Sequence, residues 1–194
     1  VNVPDDRAHR RALRLSLVQR REAMDAAVLA PRHAAIAAHL ALLLTRLSPT
    51  SIGFTWPYRG EFDALPTVRA WLATDRARLA SLPIVGAKGE PMTFRHWTPD
   101  SAMTTDRYGI PCPAQGECMV PELLLVPCNG FDARGYRLGY GAGHFDRTLA
   151  ALKPVPRAVG IAIEDGRLED LEAQPHDIPM DWIVTEAGVY GPFK

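Results

Sequence analysis

The sequence predicts an α/β fold, a largely parallel sheet between flanking helices in three layers, with a helical segment at the N-terminus. Three observations carry this. Short apolar runs alternate with stretches of helical periodicity, which is the pattern of a parallel sheet. The run Leu123-Leu-Leu-Val126 leads into a glycine-rich stretch and then into a helix-compatible segment, so strand, loop and helix follow one another. The residues ahead of Pro49 place apolar side chains at helical spacing only.

Taken in order, Asp5 and Asp6 can cap a first helix that runs to about residue 24. Leu13, Leu17 and Met24 share one face of it, with arginines around the rest. Pro31 fits the first turn of a second helix. Its core stripe is Ile36, Leu40, Leu43, Leu44 and Leu47, and Ser48-Pro-Thr50 ends it. A short strand at 51–55 opens into the loop 56–63, followed by a helix at about 65–79. Strands are expected at 82–85 and 92–97, joined by a turn at 87–90. Pro99, Pro111, Pro113 and Pro121 make residues 98–121 irregular. Residues 123–126 form a central strand, 145–152 a helix, and 157–163 and 182–184 the last strands. Residues 1–194 make one domain, without internal repeats or low-complexity tracts. In such sheets ligands bind beyond the carboxyl ends of the strands, where the loops 56–63 and 128–143 both lie.

Hydrophobic residues make up 47% of the chain, enough for a core, and formal net charge is zero. A wholly basic nucleic-acid binder is disfavoured by that neutrality, although nineteen of the twenty-two basic residues are arginine. Cys112, Cys118 and Cys128 are odd in number and form no CxxC, so free thiols in a reducing cytoplasm are expected rather than disulfides or zinc. No stretch is expected to reach membrane-spanning length. The longest apolar run, 34–44, contains His39 and reads as a buried helix. No signal peptide is visible.

The densest motif is Gly135-Tyr-Arg-Leu-Gly-Tyr-Gly-Ala-Gly-His-Phe-Asp-Arg147. Glycines at 135, 139, 141 and 143 let backbone N–H groups approach a phosphate, and a helix start adds a favourable dipole. Arg137 and Arg147 flank the loop with planar forks of donors suited to phosphate oxygens. Asp146 falls where an acid can cap a helix or hold Mg²⁺. The spacing matches neither the P-loop nor the dinucleotide fingerprint, so the glycines alone also fit a tight structural turn.

RLGYGAGHFDR, residues 137–147, resembles the signature of the 5-formyltetrahydrofolate cyclo-ligase family, also called methenyltetrahydrofolate synthetase, whose usual form is RLGxGxGYYDR. Four further segments fit the family in order: RRALR at 10–14, RGEFD at 59–63, RYGIPCP at 107–113 and HDIPMDWIVTE at 176–186. The resemblance therefore covers nearly the whole chain. It implies an ATP- and Mg²⁺-dependent ligase that closes 5-formyltetrahydrofolate to 5,10-methenyltetrahydrofolate with release of ADP and phosphate. It implies nucleotide contacts from Arg10, Arg11, Ala12, Leu13, Arg14, Arg137, Leu138, Gly139, Tyr140, Gly141, Ala142, Gly143, His144 and Phe145. Folate would meet Glu61, Tyr108, Tyr140, Gly141, Ala142, Gly143 and His144. Arg137 and His144 would be catalytic, and Asp146 and Asp177 metal-linked, with Asp181 a close competitor for Asp177. The expected partner is the small-molecule folate, with no nucleic acid and no membrane, and the chain is expected to be a cytoplasmic monomer.

Each residue also has a plainer reading. Glu61 fits a surface acid as well as a carboxylate that accepts a heterocycle's donors. Trp56, Tyr58, Phe62 and Tyr108 can stack on a flat ring or fasten their loops to the core. The arginines at 10–14 fit a solvated helix face as well as phosphate contacts. Two departures from the family pattern stand out. Arg10 replaces the usual Lys, a fork in place of a point charge. His144-Phe145 replaces the usual Tyr-Tyr, so a ring hydroxyl's role does not carry over. That change leaves open a relative that binds ATP and another heterocycle without cyclising it.

Overall fold

The computed structural model describes residues 6–194, so Asp5 lies outside the described residues, while Asp6 is the first residue of the first helix. Helix α1 spans Asp6–Glu22 and buries Leu17 and Val18. Helix α2, Ala26–Leu47, begins five residues before Pro31, which therefore lies inside the helix rather than in its first turn. The reason is Asp25, extended at φ −61° and ψ 144°, whose carbonyl accepts the N–H groups of Val28 and Leu29 at 2.9 and 3.0 Å. Proline then costs one ladder bond near the helix start. Ser48, left-handed at φ 44°, closes α2 by donating its N–H to Leu44 O at 2.9 Å.

The earlier start corrects the membrane expectation. At 22 residues and a mean hydropathy of 1.5 over its most apolar window, α2 is long and apolar enough to cross a membrane. Here one face of it covers the sheet through Ile36, Leu40, Leu43 and Leu44. Its polar residues are held by the same layer: His39 Nδ1 lies 2.9 Å from Thr185 O, and Arg32 pairs with Asp165 and Glu186 at 3.0 and 3.2 Å.

Strand β1 is Ser51–Gly53, helix α3 Leu65–Ala73, β2 Leu79–Ile84 and β3 Thr93–Trp97. Helix α3 stops six residues short of expectation. Thr74 Oγ1 donates to Trp71 O at 2.8 Å, and the turn that follows frees Leu79 to pair with Ser51. The proline-rich stretch expected to be irregular holds three short strands: β4 (Met103–Thr105), β5 (Pro111–Pro113) and β6 (Cys118–Met119). β5 runs only against β4, outside the main sheet, where missing proline donors are tolerated. The central strand β7 is Leu123–Pro127, and a small hairpin, β8 (Gly130–Phe131) with β9 (Arg137–Leu138), interrupts the loop after it. Then come α4 (His144–Ala151), β10 (Arg157–Ile161), β11 (Trp182–Thr185) and the unanticipated β12 (Gly188–Tyr190).

The main sheet has the order β12-β11-β10-β7-β1-β2-β3-β6. Its five central strands, β11 to β2, are parallel, while β12, β3 and β6 join antiparallel at the edges. β7 divides the core by alternation. Leu123 and Leu125 pack with α2 and α3 on one face, and Leu124 and Val126 face Leu149 of α4 on the other. The result is the three-layer arrangement that the alternating pattern predicts. Cys112, Cys118 and Cys128 are all free thiols, and burial pushes that of Cys128 up to about 12.

Candidate active site

A cleft of about 880 Å³ opens beyond the carboxyl ends of β1 and β7. α1 contributes Arg7, Arg10, Arg11 and Arg14, the loop after β1 contributes Trp56, Tyr58 and Glu61, and the glycine loop with the start of α4 faces them. Of the residues assigned from sequence, Ala12, Leu13 and Leu138 stand outside this lining. Ala12 faces solvent, Leu138 is fully buried, and Leu13 packs against the small cluster of Leu17, Leu138 and Leu171. Arg10, Arg11, Arg14, Glu61, Tyr108, Arg137, Gly139, Tyr140, Gly141, Ala142, Gly143, His144, Phe145, Asp146 and Asp177 all line the cleft.

Gly141 and Gly143 have φ of 95° and 66°, a region that favours glycine. A Cβ on Gly141 would lie 3.3 Å from Cζ and Nη1 of Arg14, and one on Gly143 would lie 2.7 Å from Nη1 of Arg147. The loop is thus held between two guanidinium groups. Gly143 also precedes α4 without a side-chain cap, so the first N–H groups of that helix remain for a ligand. A bare backbone, a helix start and flanking arginines form a cradle that fits phosphate.

Asp146 does not cap α4. Its Oδ1 accepts Arg137 Nη1 at 3.0 Å and the N–H of Ile178 at 3.1 Å. Asp177, next to Ile178, uses Oδ2 for Arg10 Nη2 at 3.0 Å and the N–H of Gln174 at 2.9 Å. The two acids therefore stand side by side, each matched by one arginine. Asp181 is elsewhere, accepting the N–H of Ala158 at 2.7 Å near the start of β10. No group of three or more metal-ligating side chains occurs among the described residues. Mg²⁺ needs only one or two carboxylates when phosphate oxygens and water complete its shell, and each acid engages its arginine through a single oxygen, so the pair fits such an ion.

Glu61 is half-buried. Its Oε1 accepts the Tyr140 hydroxyl at 2.8 Å and its Oε2 accepts the N–H of Tyr58 at 3.0 Å. Burial raises its pKa above the usual carboxylate value. The other loop aromatics divide. Trp56 and Tyr58 line the cleft, whereas Phe62 packs into the core and meets His33 edge-on at 5.7 Å. Tyr108 is half-exposed and reaches His144, with its hydroxyl 3.1 Å from Nε2. Burial, then the charges of Arg147 and Arg107, lower the pKa of His144. The ring is therefore neutral at pH 7, and in NMR the imidazole is expected to titrate below 6.5. As pH falls below about 6.5 the unfolded chain takes up this proton first, so stability should decline there more in the wild type than in His144→Tyr. A titration at or above 6.5, with parallel pH-stability curves, would contradict this.

Sequence reasoning missed Arg21, which is buried and reaches Arg59 O, Asn129 Oδ1 and the Tyr140 hydroxyl at 3.0, 2.8 and 2.8 Å. Its partners lie 38, 108 and 119 positions away, and nothing in its neighbourhood sets it apart from the other arginines of α1.

An arginine-lined cleft at the carboxyl end of a largely parallel sheet, over a glycine loop leading into a helix, is built for anionic substrates. Residues 6–186 match the 5-formyltetrahydrofolate cyclo-ligase family, to which the chain belongs. It is 30% identical over 140 residues to the 5-formyltetrahydrofolate cyclo-ligase of Escherichia coli (strain K12), covering 69% of this chain and 76% of that protein. The match to the enzyme of the same name from Mycolicibacterium smegmatis is 36% identical over 64 residues, 33% of each chain. Among solved structures, 5,10-methenyltetrahydrofolate synthetase from Aquifex aeolicus aligns with a TM-score of 0.81 at 25% identity, over 95% of this chain and 93% of that one. The synthetase from Mycoplasma pneumoniae shares the fold, with a TM-score of 0.73 at 24% identity over 91% and 98%. The chain is accordingly a ligase, with a small-molecule folate as substrate.

Proposed function

We propose that the chain closes 5-formyltetrahydrofolate to 5,10-methenyltetrahydrofolate while splitting ATP to ADP and phosphate, with Mg²⁺ on the phosphates. One observation supports this above the others: the glycine loop and the Glu61 carboxylate face the same cleft, joined by the 2.8 Å bond from Tyr140. The loop and the start of α4 receive the phosphates through backbone N–H groups. Arg14 and Arg137 neutralise their charge, and Arg10 and Arg11 extend the basic wall. Glu61 accepts the paired donors of the pterin, and Tyr108 covers its ring. Asp146 and Asp177 hold Mg²⁺, which when bound neutralises charge on the phosphate oxygens.

In this reading the formyl oxygen takes the γ-phosphoryl group and ADP leaves. The second folate nitrogen then bonds to the formyl carbon and loses its proton, and the oxygen departs with the phosphate. Such chemistry asks the protein for positioning and charge neutralisation rather than for a nucleophile. His144, neutral at pH 7, presents Nε2 to the Tyr108 hydroxyl at 3.1 Å, where the family's usual Tyr would offer a hydroxyl of its own. The test is to mix the protein with ATP, Mg²⁺ and 5-formyltetrahydrofolate and to follow the near-ultraviolet absorbance of the methenyl product. Product is expected only when all three are present. Binding of ATP and folate without product would instead favour the non-cyclising relative suggested by His144-Phe145.

A further inference from the structure

Tyr140 sits between two glycines of the loop. Space is open on the Cβ side of Gly139, and Gly141 is left-handed. Polar contacts fix the Tyr140 hydroxyl. A guanidinium only donates, so the Tyr140 hydroxyl must accept from Arg21 Nη2 and direct its single proton to Glu61 Oε1, each at 2.8 Å. Burial raises the pKa of this hydroxyl, which therefore stays a donor at any working pH.

Arg21 is anchored on its other sides. Nη1 donates to Asn129 just past β7, and Nε donates to the carbonyl of Arg59 in the loop that carries Glu61. Arg59 has φ 52°, strained for a non-glycine residue, and Glu22 holds its guanidinium at two points, 2.7 and 2.6 Å. The end of α1 thus fixes both the Glu61 loop and the end of the central strand. Tyr140 is the member of this chain of contacts that lies on the glycine loop, between Gly139 and Gly141.

We propose that Tyr140 is a positioning residue that couples the two substrates: its hydroxyl ties the glycine loop to Glu61, so a nucleotide held on the loop steadies that carboxylate for the folate. The proposal rests on the assignment of ATP to the loop and folate to Glu61. Because Tyr140 joins the two subsites, a ligand that restrains one of them also restrains the other. The effect must be reciprocal.

Calorimetry with 5-formyltetrahydrofolate and the β,γ-imido analogue of ATP, each alone and with the other saturating, tests it. In the wild type each ligand should tighten the other about fivefold or more. Tyr140→Phe keeps the ring, which meets Tyr58 edge-on at 5.7 Å, and removes only the hydroxyl. That variant should bind the analogue alone within about twofold of wild type, and its coupling should fall below about twofold. Undiminished coupling in Tyr140→Phe would overturn the proposal. So would the absence of coupling in a wild type that binds both ligands, while leaving the site assignment standing. A Glu61→Gln variant that binds the folate as tightly as wild type would overturn the assignment itself, and the proposal with it.

Discussion

Gly141→Val should weaken ATP binding at least tenfold, about 1.4 kcal/mol. A β-branched residue at φ 95° is a steric outlier, and the strain is on the order of 1–3 kcal/mol. The new Cβ would also press on Arg14 at 3.3 Å, displacing the arginine best placed to neutralise a phosphate on the loop. Relief by shifting the loop would move the backbone N–H groups that form the cradle. Gly89→Val separates strain from site. Gly89 has a similar φ of 90°, but its Cβ would meet nothing within 4 Å and it does not line the cleft. Calorimetry with the β,γ-imido analogue, beside thermal unfolding, should show similar stability losses for both variants and lost affinity for Gly141→Val alone. Unchanged affinity in a folded Gly141→Val variant would make the loop a structural turn.

The difference between these two glycines also shows what the sequence can express. The alternation of apolar runs and helical stripes was enough to place the parallel strands, because each strand's burial on two faces is written in a few adjacent residues such as 123–126. Boundaries followed less well. α2 began at Ala26 rather than near Pro31 because the extended Asp25 before it, with a well-placed carbonyl, outweighed the proline signal. Strands β4, β5, β6 and β12 have two or three residues each, too few for a period to show. A place in the cleft lining was legible for the assigned glycine-motif residues other than Leu138, and for Glu61 through its flanking segment, but not for Ala12 and Leu13 of the first helix. The Asp146–Arg137 and Asp177–Arg10 pairs were not, since Asp146 already had a local reading as a helix cap and Asp177 lies 167 positions from Arg10. Arg21 was the least legible, because its role consists of three contacts across the fold.

Glu61→Gln should weaken 5-formyltetrahydrofolate binding about tenfold or more, with ATP binding near the wild-type value. The carboxylate accepts on both oxygens, from Tyr140 at 2.8 Å and from the N–H of Tyr58 at 3.0 Å. An amide of the same shape can accept on one side only. Its NH₂ must then face either the Tyr58 N–H or a hydroxyl whose accepting side is taken by Arg21, and one of the ligand's two donors meets a donor as well. Leaving such groups unpaired in a closed site costs on the order of 1–3 kcal/mol, which spans the predicted loss. Protonation of the native carboxyl removes an acceptor in the same way. Because burial raises the pKa of Glu61, wild-type folate affinity should start to fall, as pH is lowered, above the range of ordinary carboxylates, and Glu61→Gln should lack that step. Calorimetry with each ligand separately, at several pH values, checks both statements. Equal losses for folate and ATP would indicate a damaged fold, whereas a folate affinity that neither the substitution nor acid changes would remove Glu61 from the site.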